Sequence, residues 1–530
     1  MSYPTGVLPV HLTTWQNGHQ NFTVTLNPNA CFNLRLPLDY TNPATLFDNY
    51  QATTANLQWL IQHAMDNQWR LKALGNGWSF SELVQGVDGL VNTRELRLSF
   101  FVGPNMVHAD YLAAGGQPED LFFAQCGMSI EAINRHLEAR GRSLKASGAS
   151  NQQTIVGATS TGTHGAAYKV GAVHDSIVGL HLVCGPNRHY WLEPASRPVV
   201  SAAFVSRLGT TLLQDDDLFY AALVCFGSFG FIHGVLLETE PKFLLEKRTA
   251  ANMPYNNALR LAINQWDFEG IEPSLPRSIE GPGHSLYHFE MVVNPFAFEE
   301  NDASKGAYMK VMYKKPWTDS HVPPVAASPK FQYGDELLGV IQTVLDHIGD
   351  DLRQMVVKPM VTQLFPLAFN SNEEVTGTVG EIFNNTKFRG KALSAALGIP
   401  TQYSSQALDA FIALTRQDAF AGGVALRFVK GTRALLGFTQ FPQTCVLEMD
   451  GVDSATNRAF CQKMWDTLEL LGIPYTLHWG KINFNLTPAR VQAMYGPKVQ
   501  RWLQARHQLL EAPTRQVFNS PFLAQCGLDA

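Results

Sequence analysis

The chain has 530 residues, 45% of them apolar and only 16% charged, against about 25% charged in a typical soluble domain. Disorder and a fibrous architecture are excluded, and at roughly 150 residues per unit the length suggests about three domain-sized pieces. Lys and Arg total 40 against 45 Asp and Glu, a formal charge of −5, which lacks the basic excess of a general nucleic-acid binder. Seven cysteines stand far apart, at 31, 126, 184, 225, 445, 461 and 526, with no CxxC pair. Such an odd, dilute set predicts reduced thiols in a cytoplasmic protein and neither a disulfide framework nor a structural zinc site. The first residues lack a basic start followed by an apolar run, so no signal peptide is expected. No run of about 18 apolar residues predicts a membrane span.

Residues 1–44 are polar with scattered Asn and Pro, and read as an extension packed on a domain. From Thr53, Leu57, Leu60, Ile61, Ala64 and Met65 share one helical face. The alternation over Arg70–Leu74 predicts a strand running into the glycine loop Gly75-Asn-Gly-Trp-Ser-Phe-Ser81. A strand is expected over Phe122–Cys126, then a helix capped by Ser129 with Ile130, Ile133 and Leu137 inward and Gly141 at its end. A Gly/Ser/Thr-rich run, Ser147 to Ala166, follows. A strand is expected over Ile177–Val183, a helix over Asp217–Ala222, the turn Gly227-Ser-Phe-Gly-Phe-Ile232, and a strand over Val235–Thr239.

After about residue 245 aromatic residues crowd in: Tyr287, Phe289, Phe296, Phe298, Tyr308, Tyr313 and Trp317. They either form core behind a sheet or line a pocket for a flat or apolar substrate. A helix is expected over Asp335–Val356, strands over Val424–Val429 and Thr444–Met449, a helix from Ala455 to Leu471, then His478-Trp-Gly-Lys481 and a helix from Pro488.

Glycine allows positive φ and close ligand approach, and successive free N–H groups in such a turn make an anion site. Ser79 and Ser81 add hydroxyls to the first loop, which suits a pyrophosphate; tight turns alone are the plain alternative. No GxxxxGK[ST] is present and no GxGxxG opens a helix, which leaves a P-loop and a dinucleotide Rossmann unit unsupported.

Taken together, GNGWSFS, then GATSTGTHG, then GSFGFI, with HWGK and Tyr495-Gly496 near the end, resemble the vanillyl-alcohol oxidase/p-cresol methylhydroxylase (PCMH-type) superfamily of FAD enzymes. The sugar-lactone and alditol oxidase branch is the nearest in pattern, and flavin-dependent cholesterol oxidases are a more distant comparison. The resemblance implies an α+β fold: a two-part PCMH-type FAD-binding domain (45–245, completed by 476–530) and a substrate domain (246–475) with a mainly antiparallel sheet flanked by helices. It implies that Gly75, Asn76, Gly77, Trp78, Ser79 and Phe80 wrap the pyrophosphate. By the same resemblance Gly157, Thr159, Ser160, Gly162, Thr163 and His164 line phosphates and ring, and Gly227, Gly230 and Ile232 lie at the adenine end. Many relatives carry a flavin-linking His where this chain has Trp78, and no cysteine stands at 147–157, so FAD is expected to be noncovalent. The branch also has a Glu-x-Arg pair on a strand before HWGK. The match here is Ala425-Leu-Arg427, which keeps the Arg and lacks the carboxylate, an argument against free sugars.

The implied activity is oxidation of a CH–OH group of a small organic substrate by hydride transfer to flavin N5, with oxygen or another acceptor reoxidising the flavin. No metal is invoked, and no nucleic-acid partner. Oxidation at a C–N or C–C bond of an aromatic metabolite, or flavin binding without catalysis, are the other readings. Lys481, carried over from HWGK, either stabilises negative charge on the reduced flavin or is a surface lysine. Arg427 either orients a substrate oxygen or is an exposed strand residue. Glu290, on an alternating strand, is either a base raised by burial or a salt-bridged carboxylate. His288 and His478 are weaker candidates.

Overall fold

The computed structural model describes residues 3–38, 42–268, 284–324, 350–369, 372–384 and 391–530. Three sheets organise it. The first has four strands in the order Val7–Pro9, Phe32–Leu34, Gly89–Asn92, Leu71–Leu74. Its last three strands run parallel and Val7–Pro9 is antiparallel to its neighbour. Residues 1–44 are therefore no mere extension, since they supply two of this sheet's four strands. These strands have three residues each, too few to display alternation, and only the burial of Val7, Phe32 and Leu34 marks them.

Helix Leu46–Asn67 leads into the Leu71–Leu74 strand and buries Tyr50, Leu57, Leu60, Ile61 and Ala64. It starts seven residues before the periodic stretch at Thr53, and ends at Gln68 in the left-handed region, φ 56°. The second sheet has six strands, ordered Thr211–Gln214, Arg188–Glu193, Ile177–Gly185, Phe231–Glu238, Leu121–Gln125, Ser99–Phe101. Ser129 caps helix Ile130–Glu138 by accepting from the Ala132 N–H. The Gly/Ser/Thr-rich run holds a short helix, Ile155–Thr161, capped by Thr154 and ended by Gly162 at φ 82°. Ile155, Ala158 and Thr159 point inward at helical spacing, but small and β-branched residues hide the period.

The third sheet has eight strands in the order Glu374–Gly377, Phe243–Met253, Ala307–Pro316, Ser285–Val293, Gly422–Lys430, Gln443–Val452, Ala392–Pro400, Thr476–Leu477. Every pairing in it is antiparallel. Helices Ser404–Thr415, Ala455–Leu470 and Asp350–Ala368 flank it. Of the helix expected over Asp335–Val356, the part before 350 lies outside the described residues. The tail then returns to the first half of the chain. Trp502 donates to the Val224 carbonyl at 3.3 Å, Arg506 to that of Ser228 at 3.1 Å, and Phe518 meets Phe231 edge-on at 5.1 Å.

Candidate functional site

A cavity of about 310 Å³ is lined by residues of all three sheets and their connecting loops. The first-half wall includes Lys72, the whole of Gly75–Ser81, Gly157, Ser160, Thr163, His164, Gly227, Gly230 and Ile232. The third sheet and the tail contribute Ser394, Arg427, Glu448, Asp450, His478 and Lys481.

The Gly75–Ser81 loop is braced from both ends of the chain. The Gly18 N–H donates to the Gly77 carbonyl at 2.9 Å, and the Asn17 amide to the Ser79 carbonyl at 3.0 Å. The Phe80 N–H donates to the Gly480 carbonyl at 2.9 Å, and the Ser81 hydroxyl to that of Trp479 at 2.5 Å. Ser81 is thus committed to the HWGK segment, where the sequence offered it to a phosphate. Gly77 has φ +70°, a conformation costly for any residue with a Cβ. A Cβ at Gly75 would stand 2.3 Å from Thr154 Oγ1, so only glycine lets the loop lie against the N-cap of helix Ile155–Thr161. His19 stacks on Phe80 at 4.0 Å and meets Trp78 edge-on at 5.4 Å. Backbone-rich, side-chain-poor walls of this kind fit a long dinucleotide with an anionic middle.

An alternating run of charges leads across the third sheet into the opposite wall. Lys310 Nζ lies 3.0 Å from Glu290 Oε2, and Glu290 Oε1 lies 3.2 Å from Arg427 Nη2. Arg427 Nη1 is 2.9 Å from Glu448 Oε2, and Glu448 Oε1 is 2.6 Å from Lys481 Nζ and 3.2 Å from His164 Nε2. Sheet register explains the alignment. Lys310 and Arg427 both stand opposite Glu290, and Glu448 stands opposite Ala425. Cross-strand partners share a face, so Glu448 supplies from the next strand the carboxylate that position 425 lacks.

Burial would raise both glutamates, but Arg427 with Lys481 holds Glu448, and Arg427 with Lys310 holds Glu290, well below the usual carboxylate range. Burial, then the charge of Glu448, pushes Asp450 up. Burial pushes His164 down against the pull of Glu448, and holds His478 well below an ordinary histidine.

Four candidate residues fall outside the cavity lining: Glu290, His288, Thr159 and Gly162. Glu290 is 1% exposed and bonded to Arg427, Lys310 and His288, so its carboxylate is a structural counterion and no base. The Thr159 hydroxyl donates back to the Ile155 carbonyl at 2.5 Å, and Gly162 forms the helix C-cap. Lys481 is no surface lysine: its side chain is 16% exposed and faces the cavity. Arg427 is buried there too. The described aromatic residues between 285 and 335 are absent from the lining: Tyr287, Phe289 and Tyr308 are buried core, Phe296, Phe298 and Tyr313 pack against it, and Trp317 lies under Lys242. Sequence reading missed Lys72, His19, Glu448 and Asp450. Glu448 and Asp450 carried a usable signal, two acids at alternate positions of the otherwise apolar Cys445–Asp450 run.

Comparison with known proteins divides along the same halves. A family profile described as FAD binding domain matches residues 50–190, and one described as D-arabinono-1,4-lactone oxidase matches 307–525. A putative D-arabinono-1,4-lactone oxidase of Neurospora crassa is 27% identical over 193 residues, 36% of this chain and 29% of that protein. The D-arabinono-1,4-lactone oxidase of Saccharomyces cerevisiae is 26% identical over 210 residues, 39% of this chain and 34% of that one. An L-gulono-1,4-lactone dehydrogenase of Mycobacterium tuberculosis is 28% identical over 193 residues, 36% of this chain and 37% of that one. The matched stretches thus span about a third of these relatives. Among solved structures, a solvent-stable cholesterol oxidase superposes with TM-score 0.64 at 14% identity over 98% of each chain. A VAO-type flavoprotein of Myceliophthora thermophila gives 0.53 at 11% over 91% of this chain and 78% of that one. At these identities the likeness is one of fold. The glycine-lined cavity, the two profiles in chain order and the shared fold converge: residues 50–190 are similar to an FAD-binding domain, residues 307–525 are similar to D-arabinono-1,4-lactone oxidases, and the chain has the fold of these flavoproteins.

Proposed function

We propose that the protein oxidises a CH–OH group of an aldonolactone-like small molecule, using noncovalently held FAD. The observation that carries this is the Arg427–Glu448–Lys481 cluster, which lines the cavity and lies in the stretch matching the lactone oxidase profile. A polyhydroxylated substrate calls for fixed donors and acceptors, and this wall presents both in a buried setting where their fields are strong.

Residues Gly75–Phe80 with Gly157, Ser160, Thr163 and His164 would hold the dinucleotide, and Gly227, Gly230 and Ile232 its adenine end. When bound, FAD would supply a two-electron acceptor for the carbinol C–H bond, with oxygen or another acceptor reoxidising it. Arg427 would orient substrate oxygens, and Lys481 would supply a positive charge at the wall against a flavin held there. Asp450, the more basic of the two cavity carboxylates, is suited to take the hydroxyl proton. Trp78 has no nucleophilic ring nitrogen, which supports a noncovalent flavin. Seven unpaired, buried cysteines support a reducing, cytoplasmic setting.

The test is anaerobic. FAD-loaded protein is mixed with D-arabinono-1,4-lactone, with L-gulono-1,4-lactone and, as a contrasting alcohol, with cholesterol. A lactone should bleach the flavin's visible absorption, and acid precipitation should leave the yellow colour in the supernatant. Bleaching by cholesterol alone would refute the substrate class, and none with a wide set of alcohols would refute the activity.

A further inference from the structure

The cavity holds one buried cation that the proposed chemistry does not use. Lys72 sits on the Leu71–Leu74 strand that runs into the Gly75 loop, is 5% exposed, and lines the cavity. Its stem passes Gly227, where an added Cβ would lie 3.5 Å from Lys72 Cε. Every charged side chain of the Lys310–Lys481 run has an opposite charge in contact. Lys72 has no carboxylate bonded to it among the described residues, and its nearest ionisable neighbours are Cys225 and a second cation, Arg506. Arg506 is itself committed to the carbonyls of Ser228, Asp529 and Ala530. Burial and Arg506 push Lys72 down to about 8, so the protein's own groups compensate its ammonium poorly.

We infer that Lys72 is the cation that receives the phosphate-bearing half of FAD, adding a full charge to the backbone donors of the neighbouring glycine loop. The inference rests on the FAD reading and deepens it. A buried ammonium without a counterion destabilises the empty protein, and an incoming pyrophosphate dianion removes that penalty. Lys72 thus makes part of the binding free energy conditional on the phosphates, and a flavin without them gains nothing from it.

The experiment titrates flavin-free, full-length protein with FAD, ADP and riboflavin, in the wild type, Lys72→Met and Lys72→Arg. Lys72→Met should weaken FAD and ADP by roughly tenfold or more, leave riboflavin unchanged, and raise the melting temperature of the flavin-free protein. Lys72→Arg should retain most of the FAD affinity. Wild-type FAD affinity should also fall as pH rises from 8 to 9, an arm that needs no variant. Cys225, Cys126 and Arg506, the other titratable groups facing Lys72 or lining the cavity beside it, all titrate higher. Equal FAD and ADP affinity in the wild type and Lys72→Met, or a flat pH profile should Lys72→Met not fold, overturns the assignment of Lys72. A wild type that binds neither FAD nor riboflavin overturns the FAD reading itself.

Discussion

His233 makes the FAD-binding half acid-sensitive by an amount that can be worked out. The ring is fully buried and stacked on Tyr50 at 4.1 Å. Its Nε2 accepts from the Gln125 amide at 2.8 Å, and its Nδ1–H donates to Thr54 Oγ1 at 3.1 Å. Gln125 cannot turn over to meet a second N–H, because its Oε1 already accepts from the Leu98 N–H at 3.0 Å. The site therefore specifies one neutral tautomer, and burial pushes His233 down to about 3. The unfolded chain binds this proton near pH 6.5 and the folded chain only near 3, so stability falls as pH drops through 6.5 and levels off below 3. From pH 8 to pH 5 the loss is about 2 kcal/mol, and the full span is about 5 kcal/mol. Urea unfolding at both pH values, followed by circular dichroism, should show the wild type losing about 2 kcal/mol more than His233→Gln. His181, also held far below an ordinary histidine by burial and then by His233 and His189, titrates in both proteins, so its burial contribution cancels in the difference. Parallel pH profiles for the two proteins would refute the reasoning.

Three further outcomes follow from the cavity. Lys481→Met keeps bulk and deletes a charge at the wall; FAD should stay bound while anaerobic flavin reduction by an accepted substrate slows at least about tenfold, and an unchanged rate would remove Lys481 from the chemistry. Gly77→Val places a β-branched side chain at φ +70°, with its Cβ 3.1 Å from Trp15; the protein should fold but purify colourless, and full flavin occupancy would mean the loop is misassigned. Glu448→Gln strips the anion shared by Arg427, Lys481 and His164; breaking a buried pair this way costs about 3–5 kcal/mol, readable as a lower urea midpoint, and an unchanged midpoint would show that solvent reaches the cluster.

Much of this molecule was legible because its signals are local. The strand–loop step at Leu71–Ser81 is written in alternation followed by glycine, and the Ser129 cap in a hydroxyl three residues before a paired N–H. What stayed hidden depends on contacts far apart in sequence. Three-residue strands at Val7–Pro9 and Phe32–Leu34 exist only because a sheet edge receives them. Helix Ile155–Thr161 exists because Ile155 and Ala158 find a core that composition does not announce. Lys72 read as one polar member of an alternating strand; its isolation appears only once Gly227 and Arg506 close around it.

The Glu-x-Arg position shows why a motif on one strand underdetermines a site on a sheet. A pattern search sees Ala425 two residues before Arg427 and scores a missing carboxylate. The sheet sees faces. Ala425, Arg427, Glu448 and Glu290 all lie on one face, because 425 stands opposite 448 and 427 opposite 290. A carboxylate on that face reaches the guanidinium from i−2 on the same strand or from the diagonal position of the next strand, some 5–8 Å away in either case. Glu448 takes the second route, and the chain spacing of 21 residues between Arg427 and Glu448 carries no trace of it. A carboxylate moved one strand over also meets a different set of neighbours. Here it joins Arg427 to Lys481 and His164 in one cluster, so the cation of the sheet and the cation of the HWGK tail share a single anion. Any substrate entering that wall meets the three groups as a unit, and their energetic contributions are expected to be strongly non-additive.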